Sequence, residues 1–137
     1  MERFGRIDIL VNNAAVYHGV QMAPITEITE GDWEKTMTVN VKEMWLCCRA
    51  VIPQMKTQGK GKIANLSSAA FDLGIPFVLH HVAPKGAVVR LTRALAKEIG
   101  AHGITVNCIN PGYTTWTEAS KKFGESFPPD FSRLWIM

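Results

Sequence analysis

Ile7-Asp8-Ile9-Leu10-Val11-Asn12-Asn13 is the stretch that decides the fold. It is short, nearly continuously apolar, rich in Ile and Val, and stopped by two asparagines. A strand of that kind reads as covered on both faces, as in a parallel sheet. Working outward, the signal returns at Lys62-Ile63-Ala64-Asn65-Leu66-Ser67 and at Ile104-Thr105-Val106-Asn107-Cys108-Ile109. Between the first two runs, Thr29-Glu30-Gly31-Asp32 offers helix-start chemistry. From Asp32 to about Gln58, apolar residues recur at Trp33, Met37, Val41, Met44, Cys48, Val51 and Met55. That is the spacing of a long amphipathic helix, with a stripe that serves as core or partner surface. Pro53 is expected to kink or end it locally, and Gly59-Lys60-Gly61 closes it. A loop through Gly74 and Pro76 leads to a second long helix, roughly Leu79 to Ala101. Its expected stripe is Val82, Ala87, Leu91, Ala94, Leu95 and Ile99, and His102-Gly103 is its exit. Strand, helix, strand, helix, strand is the pattern of parallel crossover units.

A chain of 137 residues supports one domain and one modest core. Its formal charge of +3 is small, and the basic residues are dispersed, so a nucleic-acid partner is not expected. Lys121-Lys122 reads as solvated surface. Cys47, Cys48 and Cys108 form no metal spacing and no disulfide framework, which suits a reducing cytosol. His80-His81 is not a metal pair, because adjacent helical residues diverge and no further ligand is placed. The first residues hold no apolar secretory core, and no run of about 20 apolar residues exists to span a membrane. A cytoplasmic protein, with no metal site, is therefore expected.

Five motifs in order carry a family resemblance. Asp8-Ile9-Leu10-Val11-Asn12-Asn13-Ala14-Ala15 is similar to a "D-x-L-V-N-N-A-G" strand end. Val39-Asn40-Val41 resembles a mid-helix asparagine motif, and Asn65-Leu66-Ser67-Ser68 an "N-x-S-S" strand end. His81-Val82-Ala83-Pro84-Lys85 falls where "Y-x-x-x-K" belongs, and Asn110-Pro111-Gly112 resembles a proline-glycine turn past the next strand. Together, over about residues 4 to 117, they resemble the short-chain dehydrogenase/reductase family. The resemblance implies a partial Rossmann-type α/β domain over residues 1–137. Its doubly wound parallel sheet would have about three strands, with two long helices. The segment from about residue 118, with Gly124, Pro128 and Pro129, is expected to be a weakly structured tail.

The resemblance also implies a chemistry, NAD- or NADP-dependent interconversion of alcohols and ketones. A carbonyl being reduced gathers negative charge on oxygen and needs a positioned donor and a proton source. By resemblance, Ser68 polarises the carbonyl, Lys85 holds the nicotinamide ribose and lowers the pKa of the acid, and Asn40 links Lys85 to a proton-relaying water. His81 stands where the family has its tyrosine. An imidazole transfers protons, with an ordinary pKa of about 6.5, but Lys85 is expected to push that value down, and its nitrogens reach less far than a phenol. Nicotinamide-side contacts are implied for Asn13, Ala14, Lys85, Pro111, Gly112 and Thr114. Asn12 and Asn13 have a plainer reading, as ties between neighbouring strands. Ser67 and Ser68, without their flanking motifs, would read as turn serines.

Other positions depart from the family pattern. Pro84 replaces a usual Ser or Thr, Glu43 a frequent Gly, and Trp116 sits where a Thr is common, with Thr114, Thr115 and Thr117 nearby. Tyr17 and Tyr113 are poor substitute acids, since neither lies one turn before Lys85. The family's "T-G-x-x-x-G-x-G" phosphate loop has no counterpart in these residues, so a truncated member is expected, with weak or no cofactor binding. The two long helices pair across a dimer interface in the family, which implies self-association here. Two alternatives to an enzyme stay open: a non-catalytic remnant acting through helix-mediated association, and a gene fragment with no independent role.

Overall fold

A computed structural model describes residues 3–16 and 21–112, together with 118, 121 and 125. Three strands, β1 (Ile9–Asn12), β2 (Gly61–Leu66) and β3 (Ile104–Ile109), form one parallel sheet in the order β1-β2-β3. The register pairs Leu10 with Ile63 and Ile63 with Val106, so apolar side chains stack across the sheet. Four α-helices connect them: α1 (Glu30–Met37), α2 (Glu43–Gln58), α3 (Ala69–Leu73) and α4 (Leu79–Ile99). The two long crossovers run the same way across the sheet. Crossovers of one hand then lay their helices on one face.

Each helix starts and stops for a local reason. Thr29 caps α1, its hydroxyl oxygen accepting from the Asp32 N–H at 3.0 Å, so the helix begins at Glu30, two residues before Asp32. Between α1 and α2 the chain forms a π-helical segment, Thr38–Lys42, in which the Glu43 N–H reaches back to the Thr38 carbonyl. Apart from that segment the helix continues to Gln58, passing through Pro53 without ending there. Gly59, at φ +66°, terminates α2 in the left-handed conformation. Gly103, at φ +71°, does the same after a 3-10 turn (Gly100–His102), and a Cβ there would run into the Gly59 carbonyl. The two helix-to-strand turns therefore lie back to back, and Gly103 has both backbone and steric reasons to be glycine.

The core lies between the sheet and the helices. Cys48 and Met55 of α2, Ile99 of α4, Ile63 of β2, and Ile104 and Val106 of β3 form its main cluster. A smaller cluster, Ala70, Ile75 and Val78, anchors α3 and the start of α4. The buried stripe of the first long helix differs from the expected one. It runs Thr36, Asn40, Met44, Cys48, Met55, while Trp33 is exposed. The π segment shifts the register, so Asn40 points inward and Val41 is only half-buried. The α4 stripe differs too. Its buried face holds His80, His81, Pro84, Lys85, Val88, Val89, Thr92 and Ile99, while Ala94 is exposed. Apolar periodicity found the length of this helix and misplaced its inner face, because polar residues occupy that face.

The sheet is covered on one side. Ile9 and Val11 of β1 and Ile109 of β3 are half or more exposed on the opposite face. The expectation that β1 is covered on both faces is therefore not met among the described residues. Its second edge also pairs with no described strand. An apolar face beside an open edge is a template for association. The 137-residue chain is accordingly expected to self-associate, and Ile9→Thr with Val11→Thr should shift it toward monomer in light scattering. A monodisperse wild-type monomer with a sharp, high melting transition would contradict this.

Candidate active site

Strand geometry brings the C-terminal ends of β1, β2 and β3 side by side, and the motif residues follow directly from those ends. Asn12 closes β1. Its amide donates to Asn65 Oδ1 at 2.8 Å and to Cys48 Sγ at 3.3 Å. Asn65, fully buried, donates to Thr92 Oγ1 at 3.0 Å, and Thr92 donates to the Val88 carbonyl at 2.7 Å. A relay of polar groups thus ties β1, β2 and α4 together, and Asn12 acts as the strand tie of the plainer reading. Asn13 and Ala14, next along the chain, are exposed, as are Pro111 and Gly112 past β3. Thr114, like Tyr17, Tyr113, Thr115, Trp116, Thr117 and most of the tail from residue 118, lies outside the described residues.

Asn40, Ser68, His81 and Lys85 are linked through shared neighbours. Asn40 is buried in the π segment, and its Oδ1 accepts from the Val16 N–H at 2.9 Å. The backbone of Val16 also hydrogen-bonds the His81 ring. His81 and Lys85 are four residues apart on α4, hence one turn apart on one side of the helix. Lys85 Nζ donates to the Leu66 carbonyl at 3.1 Å, two residues before Ser68. Ser68 has extended backbone and caps α3, its hydroxyl oxygen accepting from the Ala70 N–H at 3.1 Å. The short helix α3, read from sequence as loop, exists because this cap and Gly74 at φ +60° bracket it. Asn40 Nδ2 is buried with no hydrogen-bond partner among the described residues, as is Nδ1 of the neighbouring His80.

Electrostatics divide these groups. Burial lowers the pKa of His81, Lys85 pushes it further down, and the Val16 backbone only partly offsets this, leaving it at about 4. Burial outweighs the lysine, the cause expected from the sequence. His81 is therefore a neutral imidazole near pH 7. Burial also lowers the Lys85 pKa, opposed by Cys108. Burial raises the Cys108 pKa. Sequence reasoning missed two members of this neighbourhood. Ser67 lies in the Asn65-Leu66-Ser67-Ser68 motif but was given no role in the site, and Thr92 lies on no recognised motif. Only their polarity inside an otherwise apolar spacing could have marked them.

The sequence matches the short chain dehydrogenase family over residues 1–126. The chain belongs to that family of oxidoreductases. It is 46% identical over 114 residues to an uncharacterized oxidoreductase of Thermotoga maritima, covering 83% of this chain and 44% of that protein. It is 42% identical over 126 residues to a (2S)-[(R)-hydroxy(phenyl)methyl]succinyl-CoA dehydrogenase subunit of Thauera aromatica, covering 89% and 49%. Among solved structures it resembles NAD+-bound xylitol dehydrogenase with a TM-score of 0.83 and 33% identity, covering 89% of this chain and 46% of that one. The chain thus spans about half the length of the relatives it matches. Three parallel strands with two long helices make it a Rossmann-like partial fold of this class. No described helix is long and apolar enough to cross a membrane, no described group of His, Cys, Asp or Glu could hold a metal, and the three cysteines are free.

The buried imidazole makes stability depend on pH. Its folded pKa of about 4 lies below the unfolded value of 6.5, so below pH 6.5 the unfolded chain binds the extra proton. Stability is full above that value and falls as pH drops toward 4. The loss reaches up to about 3 kcal/mol, since each pH unit separating the folded and unfolded values is worth about 1.4 kcal/mol. Urea melts between pH 4 and 7.5 should show this slope, and His81→Gln should flatten it.

Proposed function

We propose that these residues form the nicotinamide and substrate side of an NAD(P)-dependent alcohol–ketone oxidoreductase in the cytoplasm, and that the 137 residues alone do not turn over. The observation that carries the reading is the linkage of Asn40, His81, Lys85 and Ser68 through Val16 and the end of β2. Ser68 polarises the substrate carbonyl oxygen, and its place at the start of α3 puts the hydroxyl beside a backbone N–H rather than in the core. Lys85 keeps a positive charge under the site. Its ammonium would leave the Leu66 carbonyl for, or share it with, a ribose hydroxyl. Asn40, with a buried amide to donate, orients a proton path toward Lys85. When bound, the reduced nicotinamide supplies the hydride to the carbonyl carbon, and the alkoxide oxygen takes its proton from the protein side.

The residues fit one end of the cofactor. Asn13, Ala14, Pro111 and Gly112 suit the nicotinamide and its ribose, because they follow the ends of β1 and β3 and are exposed, and Lys85 reaches the end of β2 from α4. The pyrophosphate needs a helix N-terminus with free N–H groups. Helix α1 begins with Glu30 and Asp32, which repel phosphate, and α4 begins at Val78 and Leu79 without a glycine loop. These features support weak or absent binding of NAD(H) and NADP(H) by this chain. Titration of the purified chain followed by NADH and NADPH fluorescence should show no micromolar affinity. A micromolar constant would sink this part of the reading.

His81 is the weak point in the proton path. At a pKa near 4 it is a neutral imidazole near pH 7, whose remaining N–H is a poor proton donor. A positioned general acid is typically worth about 10² to 10⁴ in rate. In a protein that joins these residues to a glycine-rich cofactor half, His81→Tyr should raise ketone reduction at least about tenfold. The alternative, His81 as the working acid, requires an acid-side profile and a loss on restoring tyrosine. Turnover of both forms across acid, neutral and alkaline pH separates the two.

A second reading has its own observation. Met37, Thr38, Val41, Lys42, Trp45 and Leu91 line an open groove of about 360 Å³, and Trp45 and Leu46 are exposed beside it. A largely apolar groove across the two long helices supports self-association through them, with or without catalysis.

A further inference from the structure

Two adjacent serines do different work at the end of β2. Ser68 caps α3. Ser67 turns the other way and is 4% exposed. Its N–H donates to the Ile109 carbonyl at 2.9 Å, which locks its backbone to β3. Its hydroxyl donates to the Lys85 carbonyl at 2.7 Å. Lys85 answers across the same gap, Nζ donating to the Leu66 carbonyl at 3.1 Å. One step further along, the Ala69 N–H donates to the Pro111 carbonyl at 3.0 Å.

We infer that Ser67 is a positioning residue, whose hydroxyl sets the depth at which α4 seats Lys85 against the end of β2. The inference rests on the reading of Lys85 as the working cation of the site. The two crossed hydrogen bonds close a ring between residues 66–67 and residue 85, so helix and strand cannot slide without breaking one of them. The Lys85 carbonyl has a second lone pair for the hydroxyl beside any helical bond it accepts. Because Ser67 is anchored to β3 on its other side, the ring also ties the positions of Ser68 and the proline-glycine turn to that of the ammonium. A mere turn serine would face solvent or its own backbone. This one spans 18 residues to a helix carbonyl in a buried setting.

Burial holds the Lys85 pKa below its ordinary 10.5, so its titration measures how deeply the ammonium sits. His81 on α4 and Cys108 on β3 are the titrating groups it interacts with. The test uses the full 137-residue chain with lysine labelled at the ε-carbon, and Lys85→Arg to assign the resonance. Wild-type Lys85 should titrate below the surface lysines. Ser67→Ala should raise its midpoint by about half a pH unit or more, toward the solvated value. Ser67→Cys, nearly isosteric but a weak donor, should shift it in the same direction and carries the test if the alanine variant does not fold. Ser67→Thr keeps the hydroxyl and should hold the wild-type midpoint, and Ser68→Ala should leave it unmoved. A folded Ala or Cys variant with an unchanged Lys85 midpoint overturns the inference, as does a threonine variant that shifts as far as alanine. In the unaltered chain, the Ser67 hydroxyl proton should exchange slowly at low temperature; rapid exchange also overturns it. None of these readouts needs cofactor or turnover, so a chain that binds no nicotinamide still decides the role of Ser67.

Discussion

A lysine ammonium inside a protein must find an acceptor or lose its charge. Lys85 finds the carbonyl of Leu66, the last residue of β2. This one bond dictates much of the surrounding structure. It requires α4 to run close past the end of β2, and Ser67 supports that approach from the strand side. It places a positive charge beside His81, adding to the burial that keeps the imidazole neutral. Ser68 is left half-buried at the start of α3.

The rest of the inner face of α4 is polar for a related reason. Thr92 Oγ1 accepts from the Asn65 amide and donates to the Val88 carbonyl, so two buried polar groups are satisfied within the fold. Asn12 extends the chain of bonds to β1. Side-chain bonds of this kind tie the ends of β1 and β2 to α4, while the Ser67 N–H bond to the Ile109 carbonyl ties β2 to β3. Hydrophobic burial does its work at the other end of the sheet, around Met55, Ile63, Ile99 and Ile104. The stable end and the chemical end of the domain are thus segregated along the strands.

The open face tells the complementary story. Ile9, Val11 and Ile109 are residues of an interior, exposed in these 137 residues. The matched relatives are about twice as long.

Three strands and two long helices were legible in the amino-acid sequence, because short apolar runs and helical spacing reflect burial that local chemistry imposes. Asn40, Ser68, His81 and Lys85 were legible as motif positions, and their roles belong to the proposed function. Tertiary structure decided what the pattern could not. The π segment turns Asn40 inward, where its Oδ1 meets the Val16 N–H from a distant loop. Helix α3 is five residues long, too short for any periodicity to register. The buried face of α4 carries histidines, lysine and threonine, because their partners lie on β2, β3 and the loop after β1. Ser67 and Ser68 differ only in direction. Apolar spacing reports which surface avoids water, whereas a polar side chain is placed by the partner that completes its hydrogen bonds, and that partner is known only once the chain has folded.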